Sequence, residues 1–132
     1  MTFDEAVARV LVVDDAPTVR LYHAALLSEA GFDVQEAENG LEAIEAALST
    51  RFDLFLVDVN MPMMDGYACV ETLRSERVGT SAPVLMISAE EEPGDAELAY
   101  LAGANLYLIK PVAPDHLVRV ATMLITVNGE PA

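Results

Sequence analysis

The chain has 132 residues, one cysteine, and 22 acidic against 7 basic residues, for a net charge of −15. That length suits one domain, and 53% apolar content is enough to close one core, which excludes disorder for the body of the chain. So acidic a chain has no electrostatic footprint for nucleic acid and is repelled by anionic membranes, leaving metal cations and basic protein surfaces as counter-charges.

Val10-Leu11-Val12-Val13 opens the pattern as a short β-branched run that stops at Asp14-Asp15. A helix is expected over about 17–30, with Pro17 suited to a first helical position and Gly31 ending it. Val19, Tyr22, His23, Leu26, Leu27 and Ala30 share its apolar face at i, i+3, i+4 spacing. Phe32 to Ala37 alternates weakly, as an edge strand does. Asn39, with Glu42 three residues on, starts a second helix that directs Leu41, Ile44, Ala47 and Leu48 inward. Leu54 to Val57 is a second buried-strand run and stops at Asp58. A third helix is expected from about Gly66 to Glu76, with Tyr67, Val70 and Leu73 inward. Val84 to Ile87 stops at Ser88, and a fourth helix over about 95–102 ends at Gly103. Leu106 to Ile109 stops at Lys110, and the last helix starts near Pro114 with Leu117, Val120, Ala121 and Leu124 on one side. The four continuous runs read as parallel strands buried on both faces. The core is expected over about 9–125, with 126–132 as a frayed tail.

A lone Cys69 forms no internal disulfide, and the first ten residues lack the basic and apolar regions of a secretory signal. No apolar stretch reaches the roughly 18 residues that span a bilayer. The expectation is a cytoplasmic protein without membrane or direct nucleic-acid contacts.

Five strands alternating with five helices make an α/β fold with right-handed crossovers, and an open doubly wound parallel sheet rather than a closed barrel. Ligands in that architecture sit at the carboxyl ends of the strands. Asp14, Asp15, Asp58, Ser88 and Lys110 therefore share one rim. Three carboxylates there repel one another unless a hard cation such as Mg2+ neutralises them. Asp58, ending a central strand, is placed as a nucleophile for phosphoryl transfer, a reaction that needs mainly positioning and charge neutralisation. Ser88 offers a hydroxyl and Lys110 a positive charge. Lys110 is the only lysine in the chain, and a cis bond to Pro111 would aim its amine over the rim.

Other residues read as structural. His23 and His116 lack ligand-spaced partners, Cys69 is a packing thiol, Met61 to Met64 is a loop with packed thioethers, and Glu90-Glu91-Glu92 is a solvated helix entry.

In order along the chain, Val12-Val13-Asp14-Asp15, Val57-Asp58-Val59-Asn60-Met61-Pro62, Met63-Met64-Asp65-Gly66, Ser88-Ala89, Gly103-Ala104, Tyr107 and Lys110-Pro111 form one pattern. Over about Arg9 to Ile125 it resembles the receiver domain of bacterial two-component response regulators, and is most similar to single-domain chemotaxis receivers. The resemblance implies a flavodoxin-like sheet of order 2-1-3-4-5. It implies that Asp58 accepts a phosphoryl group from a histidine kinase or histidine phosphotransfer protein. Asp15, Asp58 and the Asn60 backbone carbonyl would bind Mg2+ directly, with Asp14 acting mainly through water. Ser88 and Lys110 would contact the phosphoryl oxygens. Tyr107 would switch with Ser88 and remodel the face of the fourth helix, fifth strand and fifth helix, where a downstream protein docks. That is signalling rather than enzymatic turnover of a diffusible substrate.

Three alternatives remain at this point. The chain is a receiver excised from a longer regulator or hybrid kinase, a Mg-dependent phosphatase with an aspartate nucleophile, or a flavodoxin-like electron carrier. The phosphatase wants a second acid where Asn60 stands, and the carrier wants a donor-rich loop where Asp14-Asp15-Ala16-Pro17 stands.

Overall fold

The computed structural model describes residues 7–89 and 94–129, with side chains through residue 126. The elements are β1 (Arg9–Val13), α1 (Pro17–Glu29), β2 (Asp33–Ala37), α2 (Gly40–Ser49), β3 (Leu54–Asp58), α3 (Gly66–Arg74), β4 (Val84–Ser88), α4 (Asp95–Ala102), β5 (Leu106–Ile109) and α5 (Pro114–Gly129). All strands are parallel, in the order β2-β1-β3-β4-β5.

Strand alternation divides the core into two layers. Leu11, Val13, Phe55, Val57, Val84 and Met86 face α2, α3 and α4, while Val10, Val12, Leu54, Leu56, Leu85 and Ile87 face α1 and α5. Each face is dry, and so β1, β3 and β4 read in sequence as unbroken apolar runs. β5 departs from that expectation. All four of its residues are only half-buried, because it is an edge strand paired to β4 alone.

Several helix ends follow from local chemistry. Asn39 Oδ1 accepts from the Glu42 amide at 2.8 Å, and Glu42 Oε1 accepts from the Glu38 amide at 2.9 Å. Asp65 caps α3 by accepting from the Ala68 amide at 2.9 Å.

The inward faces are narrower than helical spacing suggests. α1 buries His23, Ala24 and Leu27, whereas Tyr22 is 47% exposed and lies at a tilt against the His23 ring. On α2 the buried residues are Gly40, Ala43 and Ile44, and Leu41 and Leu48 are half exposed. The reason is close approach: a Cβ on Gly40 would lie 2.7 Å from Met64 Sδ, so the start of α2 packs directly on the β3–α3 loop. α5 continues past the expected core limit at Ile125 to Gly129, since no helix breaker intervenes before that glycine. The acidic run Glu90-Glu91-Glu92 lies outside the described residues. Among the described residues no helix is long and apolar enough to cross a membrane.

Candidate functional site at the carboxyl rim

Strand register assembles the rim. Val13 pairs with Val57, so Asp14 and Asp58 are the next residues on neighbouring strands. Asp58 pairs with Ile87 and Ser88 with Ile109, which sets Ser88 and Lys110 one step further along the same edge. The Lys110 amide donates to the Ser88 carbonyl at 2.7 Å, and the Lys110–Pro111 peptide is cis, as the sequence suggested.

Lys110 Nζ donates to Asp58 Oδ1 at 2.8 Å and to Asp14 Oδ2 at 3.1 Å. Asp14 Oδ1 accepts from the Ala16 amide at 3.0 Å, so both oxygens of this nearly buried carboxylate have protein donors. Asp15, by contrast, is exposed. Ligand oxygens of Asp14, Asp15 and Asp58 all lie within 4.8 Å of one another. A cluster of hard oxygen donors at that spacing, one of them open to solvent, fits a small divalent cation such as Mg2+.

Electrostatics at the rim are finely opposed. Burial is the largest influence on Asp58, and with the charges of Asp14 and Asp15 it raises the carboxyl from 3.8 to about 6, against the hydrogen bond and charge of Lys110. For Lys110, burial acts to lower the pKa, but the hydrogen bonds and charges of Asp58 and Asp14 outweigh it and the net direction is upward. The ammonium is thus held charged between two acids.

The remaining expected residues fall into place around this centre. Ser88 is buried at the end of β4. Asn60 is exposed on the β3–α3 loop, two residues past Asp58. In the same loop Met63 is 80% exposed with φ 69°, a left-handed conformation uncommon for a residue other than glycine. Tyr107 is half-buried in β5 and packs on the layer that faces α3 and α4.

Arg20 escaped the sequence reading, and Gly66 and His23, read there as a helix start and a structural residue, also support the rim. Arg20 donates to the Asp14 carbonyl at 2.9 Å and to Glu36 Oε1 at 3.0 Å, fixing the β1–α1 turn. Its only sequence signal is an arginine six residues after an acid pair. Gly66 sits behind the acceptor: its amide donates to the Val59 carbonyl at 2.8 Å, and an added Cβ would collide with the Asp58 carbonyl and Val59 Cα. Buried His23 feels the rim directly, since burial lowers its pKa, Lys110 lowers it further and Asp14 opposes. Cys69 is fully buried, and burial pushes its thiol up to about 12, as befits a packing residue.

A cavity of about 550 Å³ lies at the other end of the sheet, lined by residues that include Thr50, Phe52, Thr80 and Ala82, and none of the rim residues borders it.

The response regulator receiver domain model matches residues 10–122. A gliding motility regulatory protein of Myxococcus xanthus is 38% identical over 102 residues, which is 77% of this chain and 13% of that protein. The chain spans 13% of that protein, 9% of sensor protein EvgS of Escherichia coli and 48% of transcriptional regulatory protein ResD of Bacillus subtilis, at 36% and 35% identity for the last two. Chemotaxis protein CheY4 of Vibrio cholerae has a TM-score of 0.84 at 34% identity, covering 89% of this chain and 98% of that one. The receiver domain of sensor histidine kinase PA1611 from Pseudomonas aeruginosa PAO1 has a TM-score of 0.82 at 30% identity, covering 90% and 98%. It was solved with magnesium coordinated in its active site cleft.

Proposed function

The chain belongs to the response regulator receiver domain family of two-component signalling, and from that premise we propose that Asp58 is its phosphoryl acceptor. The observation that carries the proposal is the Lys110 ammonium bridging Asp58 and Asp14 beside the exposed Asp15. Asp14 is as buried and also bonds Lys110, but both its oxygens have protein donors and it stands on the β1–α1 turn, whereas Asp58 ends the central strand β3.

Asp15, Asp58 and the Asn60 backbone carbonyl would hold Mg2+, with Asp14 one step removed because its oxygens are already engaged. When bound, the ion neutralises charge on the carboxylates and the incoming phosphoryl group. The chain's own residues do the rest. Asp58 supplies the attacking oxygen: an O–P bond forms, the P–N bond of a phosphohistidine breaks, and the departing imidazole keeps the electron pair and takes a proton. Lys110 and Ser88 then engage phosphoryl oxygens, which draws Ser88 toward the rim and frees Tyr107 to change position. Phosphorylation adds about two negative charges, enough to bias a two-state element.

The donor is a histidine kinase or histidine phosphotransfer protein, and the output is a protein contact made through α4, β5 and α5. Leu98, Tyr100 and Leu101 are exposed on α4, which supports an apolar contribution there. The similarity to CheY4 suggests chemotaxis as the pathway. A screen of phosphorylated histidine kinases tests the reading: label passes to the wild-type chain and not to Asp58→Asn. Transfer to the variant at the wild-type rate would overturn it.

A further inference from the structure

Of the three methionines between β3 and α3, the fold holds two and leaves one outside. Met61 is buried in the core layer that faces α3, and Met64 packs on that layer so near α2 that a Cβ on Gly40 would lie 2.7 Å from its Sδ. Met63 departs from the expected packing and is 80% exposed. The backbone about it is a three-residue turn, in which the Met64 amide donates to the Pro62 carbonyl at 2.7 Å and Met63 has φ 69°. An i to i+2 bond about a residue of positive φ is the strained form of the γ-turn. Glycine or asparagine occupies left-handed backbone at less cost than methionine. Both flanks of the turn are fixed: the Gly66 amide donates to the Val59 carbonyl at 2.8 Å, and the Asp65 carboxylate caps α3. Met63 thus holds an unfavourable backbone and puts a long apolar side chain into water. At that exposure, almost no contact within the chain offsets either cost.

Leu41 is placed similarly. It follows Gly40, against which Met64 packs, and is 51% exposed. The segments that carry these two residues, 38–42 and 60–66, contain exposed Glu38, Glu42 and Asp65 and no basic residue. They follow the carboxyl ends of β2 and β3 and so border the mouth of the rim. Within that mouth the acceptor Asp58 is only 6% exposed. A phosphohistidine reaches so recessed a carboxylate only when its own protein covers the mouth, and the border with it.

We propose that Met63, together with Leu41, is a docking surface for the phosphodonor protein, and that the matching surface is an apolar pocket bordered by lysine or arginine side chains near the donor histidine. Apolar burial supplies affinity, and the basic border meets the acids of the two segments. The strained turn presents Met63 outward before the donor arrives, so less backbone freedom is lost on binding. Met63 is a recognition residue and takes no part in the transfer itself. The inference rests on Asp58 being the acceptor.

The test compares two donors that break the same kind of P–N bond, phosphoramidate and the phosphorylated histidine kinase found by the screen above. Each is offered to the wild type, Met63→Asn and Leu41→Ser. Met63→Asn should take label from phosphoramidate at the wild-type rate and melt no lower than the wild type. Its kcat/KM with the kinase should fall roughly tenfold or more, through KM, and Leu41→Ser should fall in the same way by less. Transfer from the kinase to Met63→Asn at the wild-type rate overturns the proposal. An equal loss with both donors also overturns it, since Met63 would then act through the geometry of the acceptor. Self-association of the wild type that Met63→Asn abolishes, with transfer intact, assigns the surface to a second copy and overturns it too. A wild type that takes label from neither donor removes instead the acceptor reading on which the inference rests.

Discussion

Replacing Asp58 by asparagine should make the metal-free protein more stable at neutral pH. Burial and two acidic neighbours raise the folded carboxyl from 3.8 to about 6, despite Lys110. Two pKa units correspond to about 3 kcal/mol of differential interaction. Between roughly pH 4 and 6 the folded state holds a proton that the unfolded state has released, so stability falls as pH rises, and above the folded pKa the whole penalty is present. Asparagine removes the charge and keeps an oxygen for Lys110 Nζ, which also retains Asp14 at 3.1 Å. The opposing pull of Lys110 is already contained in that shift, so the gain is about 3 kcal/mol, or on the order of 10 °C in melting temperature for a domain of this size. Thermal melts in EDTA across pH are the assay. The gap between variant and wild type should be largest above about pH 7, shrink from about pH 6 to 4, and close below about pH 4, where Asp58 is protonated in the folded and unfolded wild type alike. Mg2+ should narrow it from the other direction, since a ligand at 100 times its dissociation constant adds ~2.7 kcal/mol to the state that binds it. A variant less stable than wild type in EDTA at neutral pH, or a gap indifferent to pH, would refute the reasoning.

Other perturbations test the supporting structure. Gly66→Ala forces a methyl group onto the Asp58 carbonyl and should cost about 1–3 kcal/mol in chemical denaturation, with phosphorylation slowed because the acceptor strand end is displaced. Arg74→Met leaves the Gly103, Thr80 and Ala82 carbonyls without their donor and should cost roughly 2–4 kcal/mol by the same measurement. Mild acylation followed by mass mapping should modify Lys110 several-fold more slowly with beryllofluoride and Mg2+ than without, because its amine is then enclosed. Equal rates would return Lys110 to the status of an ordinary edge charge.

The strands and the rim were legible because parallel βα units are written in period and punctuation. An apolar run cut off by a polar residue marks both a buried strand and the ligand end of that strand, which is how Asp14, Asp58, Ser88 and Lys110 were located from order alone. Helix faces were less legible. Leu41, Leu48 and Tyr22 satisfy helical spacing but stand outside, because close packing depends on small residues such as Gly40 against Met64 of the β3–α3 loop, and a one-dimensional pattern carries no such distances. The half-burial of β5 depends on sheet order, which no single run encodes. Arg20 and Arg74 stayed hidden for a related reason: each acts through carbonyls distant in sequence or across a turn, and backbone acceptors leave no trace in residue identity.

The account stands most directly on the intact mass of the protein after incubation with acetyl phosphate. It predicts that the wild type gains one phosphoryl group in Mg2+ and none in EDTA, that the modification maps to Asp58, and that Asp58→Asn gains none under either condition. Modification of Asp58→Asn to the wild-type extent, or wild-type modification indifferent to Mg2+, would contradict it.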